Sequence, residues 1–147
     1  MPTSGGCLCG RVRYEFDGVP AAALNCHCSL CRKAHGAAAI AFAVVRAKNF
    51  RWLSGVEDLA SYNATSGFTR QFCRHCGSQL VVLEDWNPRG VTLAMGSLDG
   101  EAGITIEGHM FVGSKAPWHE ISDNLPQHRA WPAGLGPPSA ARSEEQD

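Results

Sequence analysis

A charge excess of either sign, long apolar runs and long amphipathic helices are all missing from this 147-residue chain. With 13 Lys and Arg against 14 Asp and Glu, the formal net charge is −1 and the sequence pI about 6.6. No general attraction to nucleic acid is therefore expected. No apolar stretch approaches the roughly 20 residues needed to cross a bilayer, so no membrane partner is expected either. The start, Met1 to Cys7, carries neither the basic nor the apolar segment of a secretory leader, and the expectation is a cytoplasmic protein. In that reducing compartment, closely spaced cysteines are metal ligands or reactive thiols more often than disulfides.

What remains is a chain of short pieces, punctuated by 16 glycines and 8 prolines. Arg11 to Phe16 alternates strictly between polar and apolar, as a half-buried strand does. Residues 38–45, 68–72, 79–83, 91–95 and 107–112 read as further strands, rich in β-branched and aromatic residues. Ser29 is positioned to cap a short helix through Lys33, and a turn is expected near Ser97-Leu98-Asp99. The fold class is mainly β, with very short helices. Residues 1–133 form one domain, long enough to bury a core. Residues 134–147 offer little to bury and read as a disordered tail. There is no internal repeat.

All 7 cysteines fall in three clusters: Cys7 and Cys9; Cys26, Cys28 and Cys31; Cys73 and Cys76. Two closed tetrahedral zinc sites would need eight thiolates. Seven fit one closed four-sulfur site and one three-sulfur site with an open position, and an open position is the mark of catalytic rather than structural zinc. Cys73-Arg74-His75-Cys76-Gly77 is a knuckle in which a tight turn aims two sulfurs at one ion, with Gly77 taking positive φ. In Cys7-Leu8-Cys9, read as the start of a strand, both sulfurs face one way and Leu8 the other. The knuckle is its natural partner, though spacing leaves other pairings open.

Cys26-His27-Cys28-Ser29-Leu30-Cys31 combines a C-x-C with a C-x-x-C, so one segment supplies three thiolates to one ion. Three thiolates lower the Lewis acidity of zinc and disfavour hydroxide chemistry, whereas a soft site of this kind suits a fourth sulfur. A substrate thiol arriving there would be held as a thiolate nucleophile. The competing arrangement is a closed Cys3His site, filled by His35 or a distant histidine; His27 lies between two ligands and points away. Arg32 and Lys33 are either solvated charges or anchors for an acidic substrate.

Together these residues resemble the glutathione-dependent formaldehyde-activating family, whose domain is also found in centromere protein V. The resemblance runs through Gly6 to Gly10, Cys26 to Lys33, Thr69 to Ser78, Gly108 to Val112, Ser114 to Trp118 and Leu125-Pro126. It covers roughly residues 4–132. It implies a zinc-stapled fold of coiled antiparallel sheets, a β-tent, with two Zn2+ ions per chain. By the resemblance, Cys7, Cys9, Cys73 and Cys76 hold the structural zinc, and Cys26, Cys28 and Cys31 hold the catalytic one. The implied activity joins glutathione to formaldehyde as S-hydroxymethylglutathione, a carbon–sulfur lyase reaction when run in reverse.

The partners expected are thus a small-molecule thiol, glutathione or a related compound, and an aldehyde. His109 and His119 are the candidate proton donors. The Ser114–Trp118 segment is a candidate wall, with Trp118 either covering the site or packing in the core. Phe50, Trp52 and Tyr62, in the segment between Asn49 and Gly67, either line a pocket or pack in the core, and core packing is the expectation. The principal alternative is a non-catalytic zinc module that binds a small thiol or a protein partner. A redox role for Cys73 and Cys76 requires a disulfide between them and no metal.

Overall fold

The computed structural model describes residues 1–63 and 66–138, which contain ten short strands and one α-helix. In chain order these are β1 (Thr3–Gly6), β2 (Arg13–Phe16), β3 (Ala22–Cys26), α1 (Ser29–His35), β4 (Ile40–Arg46) and β5 (Phe50–Ser54). There follow β6 (Leu59–Tyr62), β7 (Phe68–Cys73), β8 (Gln79–Glu84), β9 (Gly90–Ala94) and β10 (His109–Met110). The chain is mainly β, as its composition and alternation indicate. The expected strands appear as β2, β4, β7, β8, β9 and β10. The expected strand over 107–112 shrinks to two residues, because Phe111 takes a left-handed conformation with φ of 57° and turns the chain. β1, β3, β5 and β6 are not among the expected strands; β1 and β3 escape a reading from pattern because Thr-Ser-Gly-Gly and Ala-Ala-Leu-Asn-Cys are poor strand formers, and partners impose their extension.

Two sheets result. The smaller runs β1-β2-β5 and is antiparallel throughout. The larger runs β10-β3-β4-β9-β8-β7-β6, antiparallel except for the parallel pair of β10 with β3. Because successive side chains on a strand point to opposite faces, the register of the large sheet decides what each face buries. Ala23, Ala43, Leu93 and Val81 lie in one cross-strand row, joined by Val45 and Val91 in the next row on that face. They meet Val12, Tyr14 and Phe16 of the small sheet in the main core. Tyr14 stacks on Phe50 at 5.3 Å and meets Trp52 edge-on at 6.0 Å, so both aromatics pack as expected. Tyr62 does not; it is exposed.

The residues one step along, Leu24, Phe42 and Val44, face the other way into a second cluster with Cys26, Cys28, Met110 and Phe111. There α1 lies beside β4. The helix is capped not by Ser29 but by Cys28, whose sulfur accepts from the backbone N–H of Cys31 at 3.3 Å. It ends at Gly36 in the left-handed region, and Arg32, Lys33 and His35 in its last turn match the helix dipole. The turn expected near Ser97 is a single 3-10 turn over Met95–Ser97. Of the expected tail, residues 139–147 lie outside the described residues, while Leu135 packs against the second cluster. Among the described residues, no helix is long and apolar enough to cross a membrane.

Phe16 is 1% exposed at the contact between the sheets. Phe16→Ala is expected to cost about 3–5 kcal/mol of stability, read as a lowered urea midpoint with an unchanged slope.

Candidate metal centres and the cavity beside them

The first sulfur set joins two turns from opposite ends of the sequence. Cys7 and Cys9 lie not on a strand but in the turn between β1 and β2, where Cys7 N–H donates to the Val12 carbonyl at 3.0 Å and Gly10 N–H to the Cys7 carbonyl at 3.1 Å. The turn still brings the two sulfurs to one side, and Leu8 between them is exposed. Cys73 ends β7 and Cys76 lies in the turn to β8, with Gly77 at φ 77°. The two turns are tied by the Leu8 N–H, which donates to Ser78 Oγ at 2.9 Å. Cys7 and Cys9 sulfurs are 3.5 Å apart, and those of Cys9 and Cys73 3.8 Å. Those gaps are far beyond the ~2.05 Å of a disulfide. They fit the sulfur–sulfur edges of about 3.8 Å that a tetrahedral zinc with Zn–S near ~2.3 Å requires. All four ligand atoms lie within 4.8 Å of one another. His75 in this knuckle turns away from the sulfurs and bonds Asp58 Oδ1 at 2.7 Å, a bond that holds the Asp58 carboxyl below its usual range.

The second set is local. Cys26 closes β3 in register with Ile40 and Met110, Cys28 caps α1, and Cys31 lies on its first turn. Their three sulfurs also lie within 4.8 Å of one another, with no histidine or carboxylate among the described residues completing the group. Their soft, anionic character suits a thiophilic divalent ion. The neighbouring thiols Cys26 and Cys28, and then the Arg70 guanidinium, hold Cys31 well below the ordinary thiol range. Arg70 Nη2 is 3.8 Å from the Cys31 sulfur.

The histidines divide sharply. His27 is fully buried on the far side of the segment, where its Nε2 meets His109 Nδ1 at 2.9 Å. His109 Nε2 in turn reaches the Asp123 carboxylate at 2.9 Å and 3.0 Å. Burial, and then the proximity of His109, push His27 down to about 4. His119 faces the His27 ring at 5.9 Å. Neither His109 nor His119 lines the space over the three sulfurs, so neither sequence-derived proton donor is in position. His35 does line that space, and burial pushes it down too, but it is not part of the sulfur group. Arg32 is not a free charge: its Nε donates to the His27 carbonyl at 3.2 Å and its Nη2 to the Ser114 carbonyl at 3.0 Å. Lys33 is exposed.

Over the three sulfurs lies a mainly apolar cavity of about 70 Å3. Its floor is the second face of the large sheet, including Phe42, Val44, Val82 and Thr92, and its walls include Phe111 and Trp131. Trp118, expected as a wall or as core, is neither, being 73% exposed. Trp131 takes that place, edge-on to Phe111 at 5.2 Å. Two charged side chains, Arg70 and Glu84, also line the cavity. Glu84 is half-buried and accepts from Thr92 Oγ1 at 3.0 Å and 3.1 Å. Burial pushes its carboxyl up to about 7. Arg70 Nη1 and Trp86 Nε1, both at the cavity, are buried and have no partner among the described residues. A groove of about 500 Å3 borders the cavity, shares Phe68, Arg70 and Gln79 with it, and adds Lys33 and Tyr62.

Sequence reasoning missed Arg70 and Glu84. For Arg70 the signal was present: it sits on the expected strand over 68–72 in the phase of Phe68 and Phe72, where a charge needs a reason, whereas Glu84 lies one residue beyond the expected strand over 79–83.

The profile described as "Glutathione-dependent formaldehyde-activating enzyme" matches residues 2–114. A Halomonas elongata protein named "Putative glutathione-dependent formaldehyde-activating enzyme" is 30% identical over 128 residues, covering 82% of each chain. A crystal structure of a Rhodobacter sphaeroides protein superposes with a TM-score of 0.60 at 27% identity, covering 73% of this chain and 99% of that one. The profile match spans both turns of the four-cysteine set and the whole three-cysteine segment, and on that ground the chain belongs to the glutathione-dependent formaldehyde-activating enzyme family.

Proposed function

We propose that this protein is a zinc-dependent carbon–sulfur lyase and synthase that joins a small thiol to an aldehyde, as in S-hydroxymethylglutathione formation from glutathione and formaldehyde. The observation that carries the reading is the three-sulfur set opening into an apolar cavity with no fourth protein ligand among the described residues. Cys7, Cys9, Cys73 and Cys76 would hold a structural zinc, and Cys26, Cys28 and Cys31 a catalytic one. When bound there, zinc supplies the electrophilic position that makes a thiol give up its proton near neutral pH.

The protein's own residues do the rest. The groove beside the cavity presents Lys33 and Arg70, cations suited to the carboxylates of glutathione. Its volume of about 500 Å3 falls within the range of small-molecule sites. The cavity, about 70 Å3, is smaller and has room for a compact aldehyde such as formaldehyde. Phe42, Val44, Phe111 and Trp131 keep the reacting atoms away from bulk water, so the aldehyde meets the thiol in preference to hydration. Placing both reactants against fixed walls also removes the entropy cost of bringing them together.

Replacing the metal by cobalt gives a direct test. Glutathione should change the visible spectrum of the cobalt protein, and a glutathione analogue without the thiol should not. No change at millimolar glutathione would instead favour a module that binds another partner. Cys28→Ser should abolish thiol-dependent formaldehyde consumption while the melting temperature stays near that of the parent. Retained activity in that variant rules the scheme out. Cys73→Ser, by contrast, should lose metal and unfold at a markedly lower temperature, because its set ties distant turns together.

A further inference from the structure

Among the described residues, one carboxyl group lines the cavity, and it belongs to neither sulfur set. We propose that Glu84 is the proton-transfer residue of the thiol–aldehyde addition, taking the thiol's proton as the thiol docks at the three-cysteine set and returning it to the aldehyde oxygen as the carbon–sulfur bond forms. The inference rests on the function proposed above and assigns it a catalytic residue.

The register places Glu84. On the cavity face, Val44, Thr92, Val82 and Arg70 form one cross-strand row, and Glu84 lies two residues beyond Val82, opposite Phe68. Thr92 Oγ1 donates to both carboxyl oxygens, which fixes the group at the cavity wall. Arg70 spans from this wall toward the sulfurs, its Nη2 at 3.8 Å from Cys31 and its Nη1 without a protein partner among the described residues. The charged or titratable groups that share the cavity with Glu84 are Arg70 from β7, Cys26 at the end of β3, Cys28 at the cap of α1, and Cys31 and His35 from α1. Thr92 on β9 and Trp86 beyond β8 present only neutral polar groups. The histidines of the Asp123–His109–His27 chain do not line the cavity.

The step balances without an oxidant or reductant. The S–H bond breaks and its proton goes to a Glu84 oxygen. The sulfur electron pair then forms the C–S bond, the carbonyl π pair moves to oxygen, and that oxygen takes the proton from Glu84. The products are the S-hydroxyalkyl thiol and the regenerated carboxylate, and the reverse sequence is the lyase reaction. Burial lifts the Glu84 carboxyl to about 7, so near neutral pH it can both accept and give a proton. Arg70 Nη1 is a ready donor to the oxygen as charge develops on it.

The test uses the zinc-loaded protein, as the parent and as Glu84→Gln and His35→Gln, with glutathione as the probe at pH 8 in weak buffer. Proton release on glutathione binding is followed with an indicator dye, and formaldehyde consumption is followed separately. The charge of the docked thiolate raises the Glu84 carboxyl further, so at pH 8 the parent should release clearly less than one proton per glutathione bound, whereas Glu84→Gln should release nearly one. Glu84→Gln should also lose about 10²-fold or more in kcat while still binding glutathione. Glutamine keeps the shape of the side chain and an oxygen for Thr92, so the variant should melt close to the parent. His35→Gln should behave as the parent in both readouts. Equal proton release by the parent and Glu84→Gln, with binding intact, overturns the role of Glu84 and leaves the proposed function standing. Proton retention lost in His35→Gln and kept in Glu84→Gln overturns it in favour of the histidine. A parent protein that binds no glutathione removes the proposed function and this inference together.

Discussion

Side-chain alternation along β4, β8 and β9 is the constraint on which the rest of the structure depends. One phase of these strands, with Ala43, Val45, Val81, Val91 and Leu93, packs against the small sheet and carries the main core. The opposite phase, with Phe42, Val44, Val82, Glu84 and Thr92, floors the cavity. A slip of one residue in any of these strands would send hydrophobic residues out and charged ones into the core. Stability and chemistry therefore share a register, and the four-cysteine set, at the turn between β7 and β8, sits where it would help to hold that register.

The cavity concentrates polar groups in a poor solvent for them. Arg70, Glu84 and the sulfurs of Cys26, Cys28 and Cys31 share a space whose other walls are largely aliphatic or aromatic. Burial shifts Glu84 upward, while the neighbouring thiols of Cys26 and Cys28, and then Arg70, shift Cys31 downward in the same site. Outside the cavity the histidines serve a different purpose. The Asp123–His109–His27 chain clamps β10 and the loop after it against the ligand segment, and Arg32 secures the same segment through the carbonyls of His27 and Ser114. The three cysteines are thus held from behind by groups that never enter the cavity.

Much of this was legible in the sequence, and the rest was not for identifiable reasons. The cysteine clusters carry their own geometry: C-x-x-C closes a turn, and a segment with three cysteines in six residues brings its sulfurs together almost regardless of the fold. The strongly alternating or β-branched strands were also readable, since burial of one face leaves a period of two. β1 and β3 were not, because glycine and alanine extend only when a neighbour supplies the hydrogen bonds. The placement of Cys7 and Cys9 in a turn rather than a strand was hidden for a related reason, as β2 begins only at Arg13. The roles of Arg70 and Glu84 depend on β7 and β8 being neighbours, and the exclusion of Trp118 in favour of Trp131 depends on a loop path that no local pattern encodes.

The two sulfur sets differ most in how far apart their members lie along the chain. Cys26, Cys28 and Cys31 fall within a single turn of chain, whereas Cys9 and Cys73 are separated by 64 positions. Closing the longer loop costs more entropy, and it cannot close at all until the later cysteines exist. During synthesis from the N-terminus, the local set is complete as soon as Cys31 leaves the ribosome, with every strand after β3 still to emerge. The distant set is complete only when Cys76 follows, by which point β1 to β7 have emerged. An ion captured by the first set can therefore arrive before the cavity has walls, while one captured by the second can arrive once the small sheet is complete but before β8 and β9, which join the two halves of the large sheet, have emerged.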